Sequence, residues 1–273
     1  RRKRGRRYGG LYFEPGKQNP THSSGGIESK NRARYLPSWY LDADYVRTPA
    51  RTSGRRGERH HLLGGTMVPL AEYLAKVDGV WRAGPSPVGS QTHGMISRLD
   101  LYKEHAGIDL LEIFPGPGQE RDPDLVDAWT YDAFLDAAQK LHAAGHGIGG
   151  PLGSTGDASF WLAPVFAAHG AELVNKDGDI VVVSDEVRRT LEYLSRLVLT
   201  MPESVYAWDD AGNNRWMISG QGSSVFNPPS PWNVAKRDAP QIAEQMWCHD
   251  LPRGPHGRFR NFIPQFWGIW DFS

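Results

Sequence analysis

The stretch of sequence that decides the fold runs from Asp127 to Leu141 and reads DAWTYDAFLDAAQKL. Thr130 is a suitable N-cap, because its hydroxyl can accept a hydrogen bond from a backbone N–H of the first helical turn. Gly145 supplies the stop, since glycine readily adopts the left-handed conformation that ends many helices. The apolar residues between them share one helix face, at Phe134, Leu135, Ala138 and Leu141. The stretch therefore predicts a helix with one buried face.

Further helices and short strands alternate on both sides of this helix. Asp78 and Gly79 predict a tight turn in a hairpin over residues 77–81, and a second hairpin turns at residues 176–179. Ser184 is expected to cap a long helix whose apolar residues form one stripe. The remaining predictions are helices over 99–105, 159–169 and 231–246, and strands over 223–226 and 246–251. Alternating helices and strands predict an α/β layered fold.

The first 60 residues differ from the rest of the chain in charge. They carry 15 Lys/Arg and 5 Asp/Glu, whereas residues 61–273 carry 16 and 26. Residues 1–64 have no sustained apolar period, and their composition predicts a basic, disordered N-terminal leader. A basic arm that binds nucleic acid is the alternative interpretation of this segment. The acidic body argues against nucleic acid as the main partner.

Composition narrows the class of protein. Hydrophobic residues make up 39% of the chain, which is typical of a globular fold. No apolar run approaches the roughly 18 residues that a membrane-spanning helix needs. The single cysteine, Cys248, excludes an internal disulfide and a cysteine-rich metal site.

Motifs for cofactors and metals are incomplete. Residues 145–150 match the glycine spacing of a dinucleotide loop, but they follow a helix, where that loop needs a strand before it. His142 and His146 have the spacing of a helical zinc pair, but Ala143 stands where the zinc signature requires Glu. We therefore expect no cofactor and no metal.

The sequence patterns that could form a catalytic site are also incomplete. Successive side chains in a strand point to opposite faces, so Cys248, His249 and Asp250 cannot converge as a triad. The adjacent carboxylates of Asp209 and Asp210 match poorly the separated pair of a glycosidase. The sequence therefore predicts a protein without catalysis. A carbohydrate-active enzyme is the alternative, which a raised carboxylate pKa in a cleft would favour.

Aromatic residues give the clearest indication of a ligand. The chain has ten tryptophans, and Trp208, Trp232 and Trp267 lie in polar, turn-rich segments rather than on apolar helix stripes. Apolar faces of sugars stack on aromatic rings, while polar side chains bond the hydroxyls. Trp208, Asp209 and Asn213 combine both kinds of group within a few residues. These features predict a carbohydrate-binding site.

Seven segments resemble, in order, the extracellular solute-binding proteins of family 1, the maltose-binding class of ABC sugar transporters. The resemblance covers about residues 66–273. Its segments are the helix entry at 127–134, NKDG at 175–178, the helix after Ser184, ISGQGSSV at 218–225, NPPSPW at 227–232, LPRGPHG at 251–257 and WGIWDFS at 267–273.

The resemblance implies an α/β fold of the two-lobed, periplasmic-binding-protein type II-like kind. It assigns residues 65–120 to part of the first lobe, 121–256 to the second lobe, and 257–273 to the crossover and the strand that returns to the first lobe. The family's first strands have no clear match before residue 66, and its C-terminal helices would follow Ser273. The first lobe is therefore expected to be incomplete and the chain truncated at both ends.

The resemblance also implies the function. A protein of this kind is the substrate-binding component of an ABC importer and binds a sugar, an oligosaccharide or a polyol between its lobes. The liganded form docks on the membrane permease, and a separate ATPase drives transport. We expect a periplasmic protein, monomeric at full length, although no signal peptide is visible in this chain.

The same resemblance proposes ligand-binding residues by position. Phe160 and Trp161 match an aromatic pair of the second lobe that contacts sugar, and Trp232 matches a stacking tryptophan. Three further residues are placed on the first-lobe strand and helix that face the cleft: Gln91, Thr92 and Arg98.

Overall fold

The structure is a computed structural model that describes residues 69–268 and four residues near the N-terminus. The chain divides into two compact units, residues 1–35 and 36–273. In the first unit, strands β1 (Arg7–Tyr8) and β2 (Leu11–Tyr12) pair antiparallel. The rest of the leader expected over residues 1–64 lies outside the described residues, as does the end of the strand expected over 267–273.

The described part of the second unit opens with a helix and a hairpin. Helix α1 spans Pro69–Ala75, and strands β3 (Lys76–Val77) and β4 (Val80–Trp81) pair antiparallel after it. Asp78 and Gly79 between the strands both have positive φ, 52° and 74°, which is the geometry of a two-residue hairpin turn. The hairpin predicted from this Asp-Gly pair is confirmed.

Four strands form the central sheet: β6 (Met95–Arg98), β7 (Ile148–Gly149), β8 (Ser224–Phe226) and β9 (Met246–His249). Their order across the sheet is β7–β8–β6–β9. β7 and β8 are parallel, while β6 is antiparallel to both β8 and β9. Every residue of β8 is buried, as is typical of a strand that is covered on both faces.

Helices flank the sheet, and three of them are capped by side-chain hydroxyls. Thr130, Thr155 and Ser184 each accept a hydrogen bond from the backbone N–H three residues later, at 3.1, 3.3 and 3.2 Å. The caps predicted at Thr130 and Ser184 are confirmed. The helices are α2 (Leu99–Leu101, continuing as a π-helical turn over Tyr102–Ala106), α3 (Leu110–Ile113), α4 (Pro123–Ala128), α5 (Tyr131–Ala143), α6 (Gly156–Ala168), α7 (Asp185–Val198), a 3-10 helix (Glu203–Ala207), α8 (Gly212–Ile218), α9 (Ser230–Asp238) and α10 (Pro240–Ala243).

The single helix predicted over 231–246 is wrong in its length. α9 ends at Asp238, and Ala239 leaves the helical region with φ −148° and ψ 63° before α10 begins at Pro240. Proline has no N–H to continue the helix, and it disfavours helical backbone at the preceding residue. The strand predicted from Met246 follows as β9.

The two faces of the sheet are covered by two hydrophobic clusters. Met95 and Phe226 belong to the larger cluster, while their strand neighbours Ile96 and Val225 belong to the smaller one. This division follows from the alternation of side chains along a strand. The helices contribute most of the larger cluster, including Tyr102, Phe114, Trp129, Phe134, Leu141, Trp161, Val165 and Leu197.

The lobe boundary expected at residue 120 does not separate two cores. β6 lies inside the central sheet, between β8 and β9. Tyr102 and Phe114 are buried in the same cluster as Trp129 and Phe134. Residues 95–120 therefore share a sheet and a core with the segment that was expected to form the second lobe.

A long antiparallel strand pair leads into and out of this core. β5 (Gly84–Thr92) pairs with β10 (Phe262–Trp267). Where the pair meets the core, the His93 N–H donates to the Asn261 carbonyl at 2.8 Å. The crossover before β10 packs tightly on α6, since a Cβ on Gly254 would lie 2.2 Å from the Ala168 carbonyl oxygen. This close approach explains why position 254, in the LPRGPHG segment, is a glycine.

Candidate ligand-binding site

At one edge of the central sheet, where the strands end, the carboxyl ends of three strands lie beside the amino end of the fourth. β7, β8 and β9 run toward this edge, and β6 starts from it because it is antiparallel to its neighbours. The carboxyl ends of strands are where open α/β sheets bind ligands. Gly150, Asn227 and Asp250 directly follow their strands at this edge, and His93 lies two residues before β6.

A half-buried carboxylate lies at this edge, in the first turn of α6. Asp157 Oδ2 accepts a hydrogen bond from Asn213 Nδ2 at 3.0 Å. Burial, followed by the negative charge of Asp210, raises the pKa of Asp157 to about 6, although the bond from Asn213 acts in the opposite sense. None of the described Lys and Arg residues forms an ion pair with Asp157.

The amide that bonds Asp157 is itself incompletely bonded. Asn213 is fully buried in α8, and its Oδ1 has no hydrogen-bond partner among the described residues. The indole Nε1 of Trp216, one turn further along α8, is also buried without a partner there. Buried polar atoms nearly always have a partner in the protein, in ordered water or in a ligand. The free Oδ1 therefore indicates a position where a donor is expected.

An aromatic wall adjoins the carboxylate. Phe160 follows Asp157 by three residues on the same face of α6, and its ring centroid lies 6.2 Å from that of His93. Asn261 Nδ2 donates to the Phe160 carbonyl at 2.6 Å, which connects α6 to the crossover. His93 is fully buried, and neither ring nitrogen has a described partner. Burial lowers the pKa of His93 to about 4, so the ring is neutral at pH 7.

Trp208 packs against Gly149 and Gly212, which precede Gly150 and Asn213 of the candidate site. Its Nε1 donates to Ser204 Oγ at 3.1 Å, and its ring lies 6.0 Å from that of Trp216. A Cβ on Gly149 would lie 2.6 Å from Trp208, and one on Gly212 would be equally close. The indole, predicted to stack on a ligand, is thus mostly covered by backbone.

Trp161 lies in the hydrophobic core, against the expectation that it contacts ligand. Its side chain is fully buried, and its ring stacks on Phe226 with centroids 4.8 Å apart. The indole N–H donates to the Pro151 carbonyl at 2.9 Å. The stacked face and the polar atom of the ring are therefore engaged within the protein.

Trp232 does not lie in a turn-rich segment, as predicted, but in the first turn of α9. Its indole N–H donates to the Ala243 carbonyl at 3.1 Å, and Lys236 Nζ lies 4.4 Å from the ring centroid. The ring packs against the smaller hydrophobic cluster. It faces a groove with Phe114 and Trp247, and none of the residues lining that groove belongs to the cluster around Asp157.

The residues placed by resemblance on the first lobe lie in two different places. Gln91 and Thr92 are exposed on β5, opposite Ile263 and Phe262 of β10. Arg98 lies at the far end of β6, at the opposite edge of the sheet from His93, and its guanidinium binds both carboxylate oxygens of Asp100 at 2.8 and 2.5 Å. The structure therefore removes Arg98 from the candidate site.

The two remaining predicted residues are exposed. Asp209 pairs with Arg215 at 2.5 Å, and its Oδ1 also accepts from the Ala211 N–H. Trp267 ends β10 opposite Gly84 and is 72% exposed. Of the predicted residues, Phe160 and Asn213 are brought together at the edge of the sheet.

Sequence reasoning missed Asp157 and His93. Thr155 followed by an acidic residue two positions later is a signal for a helix N-terminus, and it could have placed Asp157 at the start of α6. The signal was hidden because the helix was expected to begin at residue 159. No local signal identifies His93, since its position at this edge depends on the β5–β10 pair.

Metal-binding geometry is absent from the described residues. Within residues 69–268, no group of three or more His, Cys, Asp or Glu is arranged to hold a metal ion. The His146 ring stacks on that of His105 with centroids 5.4 Å apart. His249 is a core residue, with Nε2 2.8 Å from Ser97 Oγ. None of the described helices is long and apolar enough to cross a membrane.

The α/β core is entered and left through one long antiparallel strand pair, β5 and β10. This is the arrangement of a two-lobed binding protein. Residues 63–245 match the family model of bacterial extracellular solute-binding proteins. This match spans more than half of the chain, and the chain belongs to that family. A comparison with curated protein sequences gives no significant match.

Solved structures show the same fold. Maltose-bound MalE3 of T. maritima has a TM-score of 0.65 and 19% identity, with 85% of this chain and 55% of that chain covered. A solute-binding protein of Agrobacterium radiobacter K84 in complex with ribitol has a TM-score of 0.65 and 14% identity, covering 85% and 55%. A binding protein of B. animalis subsp. lactis Bl-04 in complex with β-1,6-galactobiose has a TM-score of 0.63 and 14% identity, covering 87% and 54%. The chain spans about half the length of these proteins.

Proposed function

We propose that this chain is part of the substrate-binding component of an ABC importer and that its ligand is a sugar, an oligosaccharide or a polyol. The observation that carries the proposal is the cluster of Asp157, Asn213 and Phe160 at the carboxyl edge of the sheet. Carboxylate and amide oxygens accept hydrogen bonds from hydroxyls, and an aromatic ring covers the apolar face of a sugar. Family membership and the ligands of MalE3 and the ribitol-binding protein support the same class of ligand.

The lobes are proposed with a revised boundary. Residues 93–261 form one lobe around the central sheet, and the β5–β10 pair forms the connection to the other lobe, to which residues 69–84 belong. Two antiparallel strands joined by backbone hydrogen bonds can bend together at their ends, which suits hinge closure around a ligand. Gln91 and Thr92 would then lie at the hinge.

Partners and location follow from the proposed role. The liganded protein would dock on the membrane permease of the importer, and it would act outside the cytoplasmic membrane as an exported, periplasmic monomer. It would bind without catalysis and without nucleic acid.

Calorimetry of the chain with maltose, ribitol and β-1,6-galactobiose tests the proposal. We expect at least one of these ligands to bind, and Asn213→Ala to weaken that binding tenfold or more, because the substitution removes a buried hydrogen-bonding group. Asn233→Ala, at an exposed position of α9, is the matched control and should change affinity less than twofold. Absence of binding to all three ligands and to related sugars would contradict the proposal.

A glycoside hydrolase is the second candidate, and one observation favours it. The pKa of Asp157 is raised to about 6 beside a second carboxylate, Asp210, and a raised pKa is expected of a general acid. Turnover of an aryl glycoside that is lost in Asp157→Asn would support this activity. A stoichiometric binder should show no turnover beyond the uncatalysed rate.

A further inference from the structure

Asp157 carries a negative charge that no described cation balances. Its surroundings are acidic, because the negative charge of Asp210 acts on it, and Asp209, the neighbour of Asp210 in sequence, already pairs with the one cation of α8, Arg215. A carboxylate that is partly removed from water and lacks a positive partner destabilises the folded protein. A ligand that brings a positive charge would relieve this cost, whereas a neutral ligand would leave it in place.

The hydrogen-bonding positions that Asp157 and Asn213 leave unused are acceptors. Asn213 Nδ2 is used by the Asp157 carboxylate, which orients the amide so that Oδ1 remains as a buried acceptor without a described partner. The carboxylate has accepting positions left, since two oxygens offer about four lone-pair sites. Asp157 and Asn213 are therefore hydrogen-bonded neighbours that each keep an unused acceptor position.

The number of donors on the ligand group distinguishes the possible ligands. A hydroxyl has one O–H and can satisfy only one of the two acceptors, whereas an ammonium group has three N–H donors and can satisfy both. Hydrogen bonds between an ionised donor and an ionised acceptor are also about twice as strong as neutral ones. Both the charge and the donor count thus favour an amine.

We propose that this site recognises a protonated amine on a carbohydrate, as in an amino sugar or an amino polyol, through Asp157 and Asn213. Phe160 lies on the same face of α6 and would cover the apolar face of the ring that carries the amine. The inference rests on the proposed function and names the ligand class for the same site.

Matched ligand pairs test the inference by calorimetry on the full chain. D-glucosamine is compared with D-glucose, and D-galactosamine with D-galactose, so that each pair differs in one amine against one hydroxyl. At pH 7.5 we expect the amino sugar of a pair to bind at least tenfold more tightly. The N-acetylated sugars, which keep the nitrogen but lose the charge, should bind like the neutral sugars.

Two variants separate charge from shape. Asp157→Asn keeps the size of the side chain and should abolish the preference for the amine, so that the amino and neutral sugars of a pair bind with similar affinity. Asp136→Asn, at an exposed position of α5, should change nothing. Because the pKa of Asp157 is about 6, lowering the pH from 7.5 to 5 protonates it and should reduce the preference in the unsubstituted protein only.

The outcomes distinguish the inference from the function on which it rests. Equal or tighter binding of the neutral sugars would overturn the inference and leave the proposed function standing. A preference that persists in Asp157→Asn, with the fold intact by circular dichroism, would also overturn it. Binding of no carbohydrate, amino or neutral, would overturn the proposed function itself.

Discussion

The indole of Trp161 lies nearly parallel to the ring of Phe226, at an interplanar angle of 17° and a centroid distance of 4.8 Å. This stack joins α6 to the central strand β8 through the larger hydrophobic cluster. The indole N–H bonds the Pro151 carbonyl, and a Cβ on Gly150 would lie 3.1 Å from the ring. The ring thus fixes α6, and with it Asp157, relative to the edge of the sheet.

Trp161→Ala should therefore act on stability. We expect a loss of about 3–5 kcal/mol in the free energy of unfolding, since the substitution removes a fully buried aromatic ring and leaves a cavity. Trp267→Ala, at a position that is 72% exposed, is the control and should stay within about 0.5 kcal/mol. Urea unfolding of both variants measures the difference. Similar small losses would show that the Trp161 ring is not a core element.

The two buried histidines of the described core predict acid sensitivity. Burial lowers the pKa of His93 and of His249 to about 4 from an unfolded value of 6.5. Below pH 6.5 the unfolded chain binds protons that the folded protein does not, so stability is full above pH 6.5 and is lost as the pH falls toward 4. His93→Phe should flatten this profile, measured by urea unfolding between pH 4 and 8.

At pH 7 the same two positions should respond in opposite ways. His93 has no described hydrogen-bond partner, so His93→Phe should be neutral or stabilising. His249 bonds Ser97, which is fully buried, so His249→Phe should cost about 1–3 kcal/mol for the buried hydrogen bond that is lost. A large loss in His93→Phe would indicate that its ring nitrogens do have partners in solution.

Trp232→Ala should lower stability rather than affinity. Its ring packs on the smaller hydrophobic cluster and its indole N–H bonds Ala243, so truncation should cost about 1–3 kcal/mol. Sugar affinity should change less than twofold, because the ring lines the groove with Trp247, which shares no lining residue with the Asp157 cluster. Calorimetry and thermal unfolding of the same sample test both parts. A tenfold loss of affinity at unchanged stability would restore the stacking role.

Local patterns predicted most of the elements but few of the site residues. Thr130, Ser184 and the Asp78–Gly79 turn are short-range signals, and the structure confirms each of them. The pairing of β6 between β8 and β9 depends on contacts between residues more than 120 positions apart. No local pattern reports such contacts, which is why the sequence placed residues 95–120 in a different lobe from the strands and helices with which they share a sheet and a core.

The tryptophans show the same limit for the site. Trp208 and Trp232 were selected as aromatic rings in turn-rich segments, and Trp161 by its match to the family's aromatic pair, yet each indole N–H is used inside the protein. Whether a ring faces ligand or core is decided by which helices close over it. Asn213 was selected for its chemistry alone, and the structure brings it to Asp157 only because α8 packs beside the start of α6.

Gly149→Ala should disturb the support beneath the site. A Cβ there would lie 2.6 Å from Trp208 Cη2 and 2.8 Å from Trp216 Cδ1, with no strain from the backbone angles, so the effect is purely steric. We expect a loss of about 1–3 kcal/mol from overpacking. Because Trp216 lies on α8 with Asn213, sugar affinity should also fall several-fold. Gly116→Ala, whose Cβ meets nothing within 4 Å, is the control and should leave both quantities unchanged.

Combining Gly149→Ala with Trp208→Leu should recover part of the loss in stability, since the smaller side chain makes room. An additive double variant would show that the two residues do not press on each other.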